Sequence, residues 1–600
     1  MRAGPCALLI AIFAFFAPGL YAVPILRLTN TIVGPVSVAV GANAPTQTLE
    51  AYDAGDGALN LNLSVSAPAA GWLRPSVGVA RHCATRTGQC WPLSFAFETS
   101  KLPRGSYTGT VTVNDAQAAD APQTVSVTVF VGGAVPDKVD LFVAPRKSRN
   151  FTLTANGAKD IKTFTTNGPM AVKFASQSGG EWLQISLDGA GSYRFPYPWR
   201  ITATYQEGMT DQTYRGTVTT ANSSLPDDNK TIPVALHVTS QPIAAAKPAS
   251  VEMRLAVGSP KQTQTIQVLN RGQGDLVVTR AASDVSCVPA PSGAEVIVEN
   301  NRSEVSVTVD PAHAKPSFCH GKILFGTNAV NALEAPFTYQ IVAQGPPVIR
   351  FQGVTENVTS DPEVSLAQGG MARVVGEQFA FGPPVESKGA PVPSMLGGLR
   401  VLVNDKPAPV FSRAYGEADF QVPFDTPPGE ALVRVERDGQ LSNAVTAQVD
   451  AVSRRILRLG IGQYGMMVNQ DGSYPVPKAL ENKLGASKRG HPAHPGDILT
   501  IYAMGLGATT PPVLAGAAPP SSGPPARVNA GFQVYFGNRL FSVAIPVDPI
   551  SAVMAPGAVG LYKITVKIPD HAAPGDQTHL FLYSDNILSN QVVLAIEPPK

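Results

Sequence analysis

YTGTVTV, residues 107–113, returns 107 positions later as YRGTVTT, residues 214–220. After a fixed Tyr-x-Gly, small polar and branched apolar residues alternate. That period of two places one set of side chains on a buried face and the other in water. Thr124-Val-Ser-Val-Thr-Val-Phe-Val and Thr231-Ile-Pro-Val-Ala-Leu-His-Val repeat at the same offset, and Trp72-Leu73 and Trp182-Leu183 lie 110 apart. Trp91 and Trp199 each open a further strand, with Leu93, Phe95, Phe97 and Ile201, Ala203, Tyr205 alternating along it. A period near 105 residues, built from such strands, predicts tandem antiparallel β-sandwiches with Trp72–Tyr107 and Trp182–Tyr214 as paired core contacts.

A third, divergent copy follows. Cys319-His-Gly321 sits 105 residues after Tyr214-Arg-Gly216, and Cys287 sits 105 after Trp182. Both aromatic positions are thus exchanged for cysteine together, so a Cys287–Cys319 disulfide is expected in their place. Two unpaired buried thiols are the alternative. A bridge requires Cα atoms roughly 4.4–6.8 Å apart. The remaining pair, Cys83 and Cys90, is read as a second local disulfide. His82 and His320 beside these cysteines raise zinc as a rival, but the tight spacing of a structural zinc site is absent.

The second half repeats at a longer interval. Gln421-Val-Pro423, Pro428-Gly429 and Ser442-Asn443 correspond to Lys567-Ile-Pro569, Pro574-Gly575 and Ser589-Asn590, offset by 146 or 147. Asn404-Asp405 and Gly537-Asn538 lie between apolar runs as two-residue hairpin turns. Lys478–Gly485 reads as one short helix stopped by glycine.

Composition agrees with short strands and many turns. Charged residues are 15% of the 600, against about 25% in typical soluble proteins. There are 55 glycines and 54 prolines. A net charge of +2, with no basic run, gives no electrostatic reason to expect nucleic acid. At the N-terminus, Arg2 precedes an apolar run from Ala7 to Ala17, then Pro18-Gly-Leu-Tyr-Ala22. This has the form of a secretory signal cut near Ala22, too short to span a bilayer. The mature chain is therefore expected to be secreted, periplasmic or at the cell surface, with no membrane span.

The first two repeats resemble the BACON domains of bacterial secreted proteins. The likeness rests on the Trp-Leu, the alternating strand, Leu102-Pro103-x-Gly105-x-Tyr107-x-Gly109 and the closing Val/Thr strand. The second copy has Gln206-Glu-Gly-Met where the first has Leu-Pro. The resemblance implies immunoglobulin-like sandwiches. From about 346 to 598 the chain is similar to an uncharacterised C-terminal domain family of exported proteins, expanded in Acidobacteria of the Solibacter type. Leu396-Gly-Gly-Leu-Arg-Val-Leu-Val-Asn-Asp, Phe420-Gln-Val-Pro, Pro495-Gly-Asp-Ile-Leu-Thr-Ile-Tyr-Ala-Met-Gly-Leu-Gly507 and Ala555-Pro-Gly-Ala-Val-Gly-Leu-Tyr562 carry this second likeness. It implies export and brings no catalytic residue.

The expected organisation is an all-β chain: signal peptide 1–22, sandwiches 23–135, 136–241, 242–344 and 345–450, a linking segment 451–494, and a fifth sandwich 495–600. No catalytic, cofactor or metal site is expected. Gly505-Leu-Gly507 after a strand raises a dinucleotide loop, but Ala-Thr-Thr-Pro-Pro follows, which cannot begin the helix that fingerprint needs. His491-Pro-Ala-His494 with Asp497 carries prolines that forbid helical i, i+3 ligand geometry. Asn469-Gln-Asp471-Gly-Ser473 lacks the rest of a calcium loop. The best binding feature is the aromatic stretch Tyr193, Phe195, Tyr197 and Trp199, interleaved with prolines, as a platform for sugar rings; against it, Trp199 repeats Trp91, which favours core packing at a strand start. The expected role is non-catalytic adhesion, binding or spacing, with a polysaccharide or surface protein as partner. A carbohydrate-binding accessory is the alternative, and a hydrolase with an unrecognised site the third reading.

Overall fold

The computed structural model describes residues 23–83, 88–145, 159–166, 169–187, 197–292, 296–297, 302–485, 489–537, 544–584 and 586–598. The expected signal peptide, 1–22, lies outside them. The described strands form ten sheets, which pair face to face around five apolar cores. Alternation builds them directly. In the strand Gln123–Val131, Val125, Val127, Val129 and Val131 all turn into the first core.

The first four sandwiches close in the same way, with an early strand lying parallel to the last. The pairs are Ile32–Val38 with Gln123–Val131, Val139–Val143 with Thr231–Val238, Val251–Ala256 with Leu333–Val342, and Leu366–Ala367 with Val445–Asp450. Parallel neighbours cannot be joined by a hairpin. The pairing therefore ties the two ends of each repeat together and makes it a self-contained unit. Asn404 and Asp405 both adopt positive φ in the hairpin between Leu399–Val403 and Lys406–Ala408. The corresponding turn at Gly537-Asn538 lies partly outside the described residues.

The segment 451–494 is not the linker the sequence suggests. Arg455–Ile456 and Met467–Asn469 pair with Ile498–Met504, and Ile456, Met467 and Ala493 are buried in the fifth core. Two strands of two and three residues are too short to show a period. Lys478–Lys483 forms a 3₁₀ turn rather than an α-helix.

Each junction between consecutive sandwiches is sealed by side chains. Asp228, buried in the second, accepts the N–H groups of Ala134 and Val135 at 2.7 and 2.9 Å. Arg271 of the third pairs with Asp160 of the second at 3.5 Å. Tyr415 of the fourth enters the third core, where its hydroxyl oxygen accepts the N–H of Ala256 at 2.7 Å. Burial pushes that phenol up to about 12. Gln421 of the fourth, fully buried, accepts from Gly516 N–H of the fifth at 2.6 Å and donates to the Gly369 carbonyl at 2.8 Å. A further contact joins the first sandwich to the fourth: Asp120 meets the strand Val445–Asp450, 326 residues away.

Candidate functional site

The repeated motif is structural. Trp72 Nε1 donates to the Pro68 carbonyl at 3.2 Å, and Trp182 Nε1 to the Ser178 carbonyl at 2.8 Å, each four residues back. Tyr107 Oη donates to the Pro103 carbonyl at 2.8 Å, and Tyr214 Oη accepts the N–H of Thr210 at 2.8 Å. These tyrosines act as corners, tying a strand start to the preceding loop. Trp72 and Tyr107 meet edge to face, 6.4 Å between centroids, and Trp182 and Tyr214 share the second core. The glycine two positions after each tyrosine allows a close approach of the neighbouring packing: a Cβ on Gly109 would stand 2.2 Å from Ala69 Cβ, and one on Gly216 2.9 Å from Leu183 and 3.2 Å from the Trp182 indole. In the third repeat Cys287 and Cys319 form a disulfide, Cα atoms 5.8 Å apart, and Cys83–Cys90 form the other at 5.0 Å.

Of the expected aromatic platform, only Tyr197 and Trp199 lie among the described residues, and Trp199 turns into the core. Tyr193 and Phe195 lie outside the described residues. Trp199 is a core residue of the second sandwich, its Nε1 donating to Thr166 Oγ1 at 3.0 Å. Tyr197, two positions earlier on the same strand, faces the same inner side and is half-buried. The Trp91 repeat already places Trp199 at an inward strand start, which outweighs the proline-rich context.

An aromatic group the sequence reading missed lies on the fifth sandwich. Tyr535 stacks on Phe581 at 5.1 Å and 9° and meets Tyr583 edge to face at 5.9 Å. Their strand neighbours Val534, Phe536, Leu580 and Leu582 fill the core, so these three rings turn to the other face of the sheet, where Phe581 is buried and the two tyrosines are half-buried. Gln533 and Asp548, hydrogen-bonded at 2.9 Å, flank them. The alternation in Gln533–Phe536 carried the signal, but the pairing with the strand Gly575–Ser584 did not.

A serine, a histidine and an aspartate converge in the segment 469–491 without forming a catalytic triad. His491 Nε2 lies 2.9 Å from Ser473 Oγ and 2.8 Å from Asp471 Oδ2, while Nδ1 faces the Pro492 carbonyl at 2.7 Å. A nucleophilic triad needs the carboxylate on the nitrogen opposite the hydroxyl. Ser473 is also buried, and its hydroxyl donates to Asp471 Oδ1. The cluster is a turn lock. Among the described residues, no three His, Cys, Asp or Glu side chains gather as a metal site.

The hydrogen bond from His491, then that from Ser473, holds the Asp471 carboxyl well below the usual carboxylate range. A carboxyl depressed in the fold stabilises it above the ordinary carboxylate pKa and loses that contribution as the pH falls. Asp471→Asn should therefore lower the melting point of the fifth sandwich near neutrality, and the gap should close in acid. A gap constant from pH 7 to acid would count against the lock. Both groups are half-exposed, so salt screening keeps the effect small.

Gly505, which invited the nucleotide reading, is a packing residue at the start of the fifth sandwich. It adopts φ +69, and a Cβ there would stand 2.1 Å from the Ser453 carbonyl oxygen. Gly505→Ala should cost about 2 kcal/mol or more, through left-handed strain and displacement of that strand. Gly41→Ala, at φ +83 with open space around it, isolates the strain alone. Equal losses in thermal melts would rule out the close approach.

The most elaborate polar contact is the one between the first and fourth sandwiches. Asp120 N–H donates to the Ala444 carbonyl at 2.8 Å, and Thr446 N–H donates to Asp120 Oδ1 at 2.7 Å. Thr446 Oγ1 donates to Asp120 Oδ2 at 2.7 Å. The Arg27 guanidinium also donates to Oδ2, and its Cζ stands 5.8 Å from the centroid of Phe351 on the fourth sandwich. Asp120 is 2% exposed. The arrangement holds surfaces together and offers no reactive group to a substrate.

These sheets, cores and parallel closures define tandem immunoglobulin-like β-sandwiches. No family model matches the chain, and no curated protein is significantly similar to it. Among solved structures, a protein of unknown function from Porphyromonas gingivalis W83 is 13% identical, covering 35% of this chain and 98% of its own, at a TM-score of 0.14. The extracellular cadherin domains 1–5 of protocadherin gamma B2 are 11% identical, covering 94% and 99%, also at 0.14. Domains 1–3 of a mouse clustered protocadherin are 12% identical, covering 45% and 90%, at 0.13. TM-scores this low carry no shared arrangement, so the sandwiches are assigned from their own sheets and cores. Among the described residues no helix is long and apolar enough to cross a membrane.

Proposed function

We propose that this chain is a non-catalytic, exported scaffold or adhesion protein of the bacterial cell envelope or exterior. The observation that carries the reading is the set of sealed junctions, together with the Arg27–Asp120–Thr446 contact that joins the first sandwich to the fourth. Side chains that elsewhere would serve a ligand are spent here on holding sandwiches in fixed relation. Two disulfides fit an oxidising compartment. The signal-like N-terminus and the likeness of residues 346–598 to exported acidobacterial domains point the same way. Small-angle scattering on the full chain tests the scaffold. The expected maximum dimension falls well short of five sandwiches end to end and does not change with salt. A long, salt-dependent distribution would overturn it.

A second reading, carbohydrate binding, is favoured by the half-exposed rings Tyr535 and Tyr583, which meet edge to face over the buried Phe581. Flat aromatic faces beside an amide and a carboxylate suit sugar rings. Affinity electrophoresis through soluble polysaccharides decides it: retardation that Tyr535→Ala and Tyr583→Ala abolish supports the platform, and unretarded native protein removes it.

A further inference from the structure

The contact at Asp120 is made by a loop tip on one side and a sheet edge on the other. Val445–Asp450 is covered on one side by the strand Gly429–Arg437. On its other side, Leu366–Ala367 pairs only with Val449 and Asp450. Residues 444–446 would therefore be open edge, a row of backbone groups ready to pair with another chain. Asp120 closes it. Its N–H takes the Ala444 carbonyl and its carboxylate takes the Thr446 N–H, the two groups an added strand would satisfy. The tip is held firmly on its own sandwich: Ala119 N–H donates to the Pro24 carbonyl, and Leu26 N–H to that of Ala119. Arg27, next in sequence, completes the clasp against Thr446 and Phe351.

We propose that this clasp exchanges between molecules, so that the edge at Ala444–Thr446 is the surface through which a second copy of this chain docks. The proposal rests on the scaffold reading and names its partner. Every group on one side (Arg27, Asp120) belongs to the first sandwich. Every group on the other (Phe351, Ala444, Thr446) belongs to the fourth. The clasp therefore has the same chemistry whether the two sandwiches lie in one chain or in two. Opening it exposes one unpaired edge and one loop tip, and a neighbouring copy offers the complement of each. Within a chain, closure is favoured by the effective concentration that the intervening sandwiches impose. Between chains, crowding on a surface raises the competing concentration. The trans contact joins two different patches, so it can close as a reciprocal dimer or propagate head to tail.

Complementation between two variants of the full chain tests the exchange. Asp120→Ala removes the carboxylate that takes Thr446 and Arg27, keeping only the backbone bond to Ala444, and leaves the edge. Thr446→Glu sets a carboxylate against Asp120 and spoils the edge, leaving the tip. Neither variant alone can clasp, in cis or in trans. Their mixture can form one clasp, from the Thr446→Glu tip to the Asp120→Ala edge. Light scattering after size exclusion, and native mass spectrometry, should show a two-chain species in the mixture and in concentrated native protein, lost in each variant alone. Unchanged thermal melts of both variants would confirm that they fold. A mixture that stays monomeric while native protein is compact by scattering overturns the exchange and leaves the scaffold standing. Native protein as extended as Asp120→Ala overturns both.

Discussion

Trp182→Ala is expected to unfold the second sandwich while the other four stay folded. Trp182 is the largest fully buried side chain among the described residues. It sits among Met170, Leu183, Ile201, Tyr214 and Val218, with its one polar atom bonded to the Ser178 carbonyl. Truncating a buried tryptophan costs about 3–5 kcal/mol, and a domain of this size holds roughly 5–15 kcal/mol in total. In a sandwich at the lower end of that range the loss takes most of the margin. Because each sandwich has its own core, the effect should be confined. Calorimetry should show one transition moved or missing. Hydrogen exchange should show protection lost along Gln212–Ala221 and kept along Gly105–Asn114. Trp182→Phe should lose less than half as much. A melt of Trp182→Ala that overlays the native protein would refute the packing.

Strand period and repeat offset made the sandwiches legible, because both are local: a residue's partner on the same face lies two positions away. The Trp and Tyr positions were legible as repeats, since the same cavity is built twice. What escaped was set by pairing across long separations. Arg455–Ile456 and Met467–Asn469 are strands only because Ile498–Met504 lies beside them, and their own few residues show no alternation. Trp199 was legible as the repeat of Trp91, and its register against Lys159–Thr166 turns it inward as that repeat requires. Asp120 is one acid in a polar loop, Ala116-Gln-Ala-Ala-Asp120, and nothing in that loop points to Thr446. Tyr535, Phe581 and Tyr583 each look like ordinary outward strand residues until two strands are placed together.

Reducing the protein should cost the third sandwich more than the first. Cross-linking removes loop-closure entropy from the unfolded chain, increasingly with loop length. For the 32-residue separation of Cys287 and Cys319, chain entropy gives about 3.7 kcal/mol, and for the separation of 7 between Cys83 and Cys90 about 2.4. Cys319 is also buried in its core, so its loss as Cys319→Ala adds a packing deficit. Cys287→Ala with Cys319→Ala should lower the third transition by roughly 15 °C or more, and a strong reductant should reproduce most of that in the native chain. A fall of only a few degrees would mean that the core, not the bridge, carries this repeat. The aromatic pair of the sister repeats offers no rescue. A Cβ on Gly321 would stand 2.3 Å from Val285 and 3.0 Å from Val288, so two valines crowd the glycine where the first repeat has Ala69 and the second has Leu183 beside the indole. Cys287→Trp with Cys319→Tyr should therefore be no more stable than the double alanine variant, since overpacking replaces the cavity. Recovery toward native stability would instead show that the third core accepts the aromatic pair of its sister repeats.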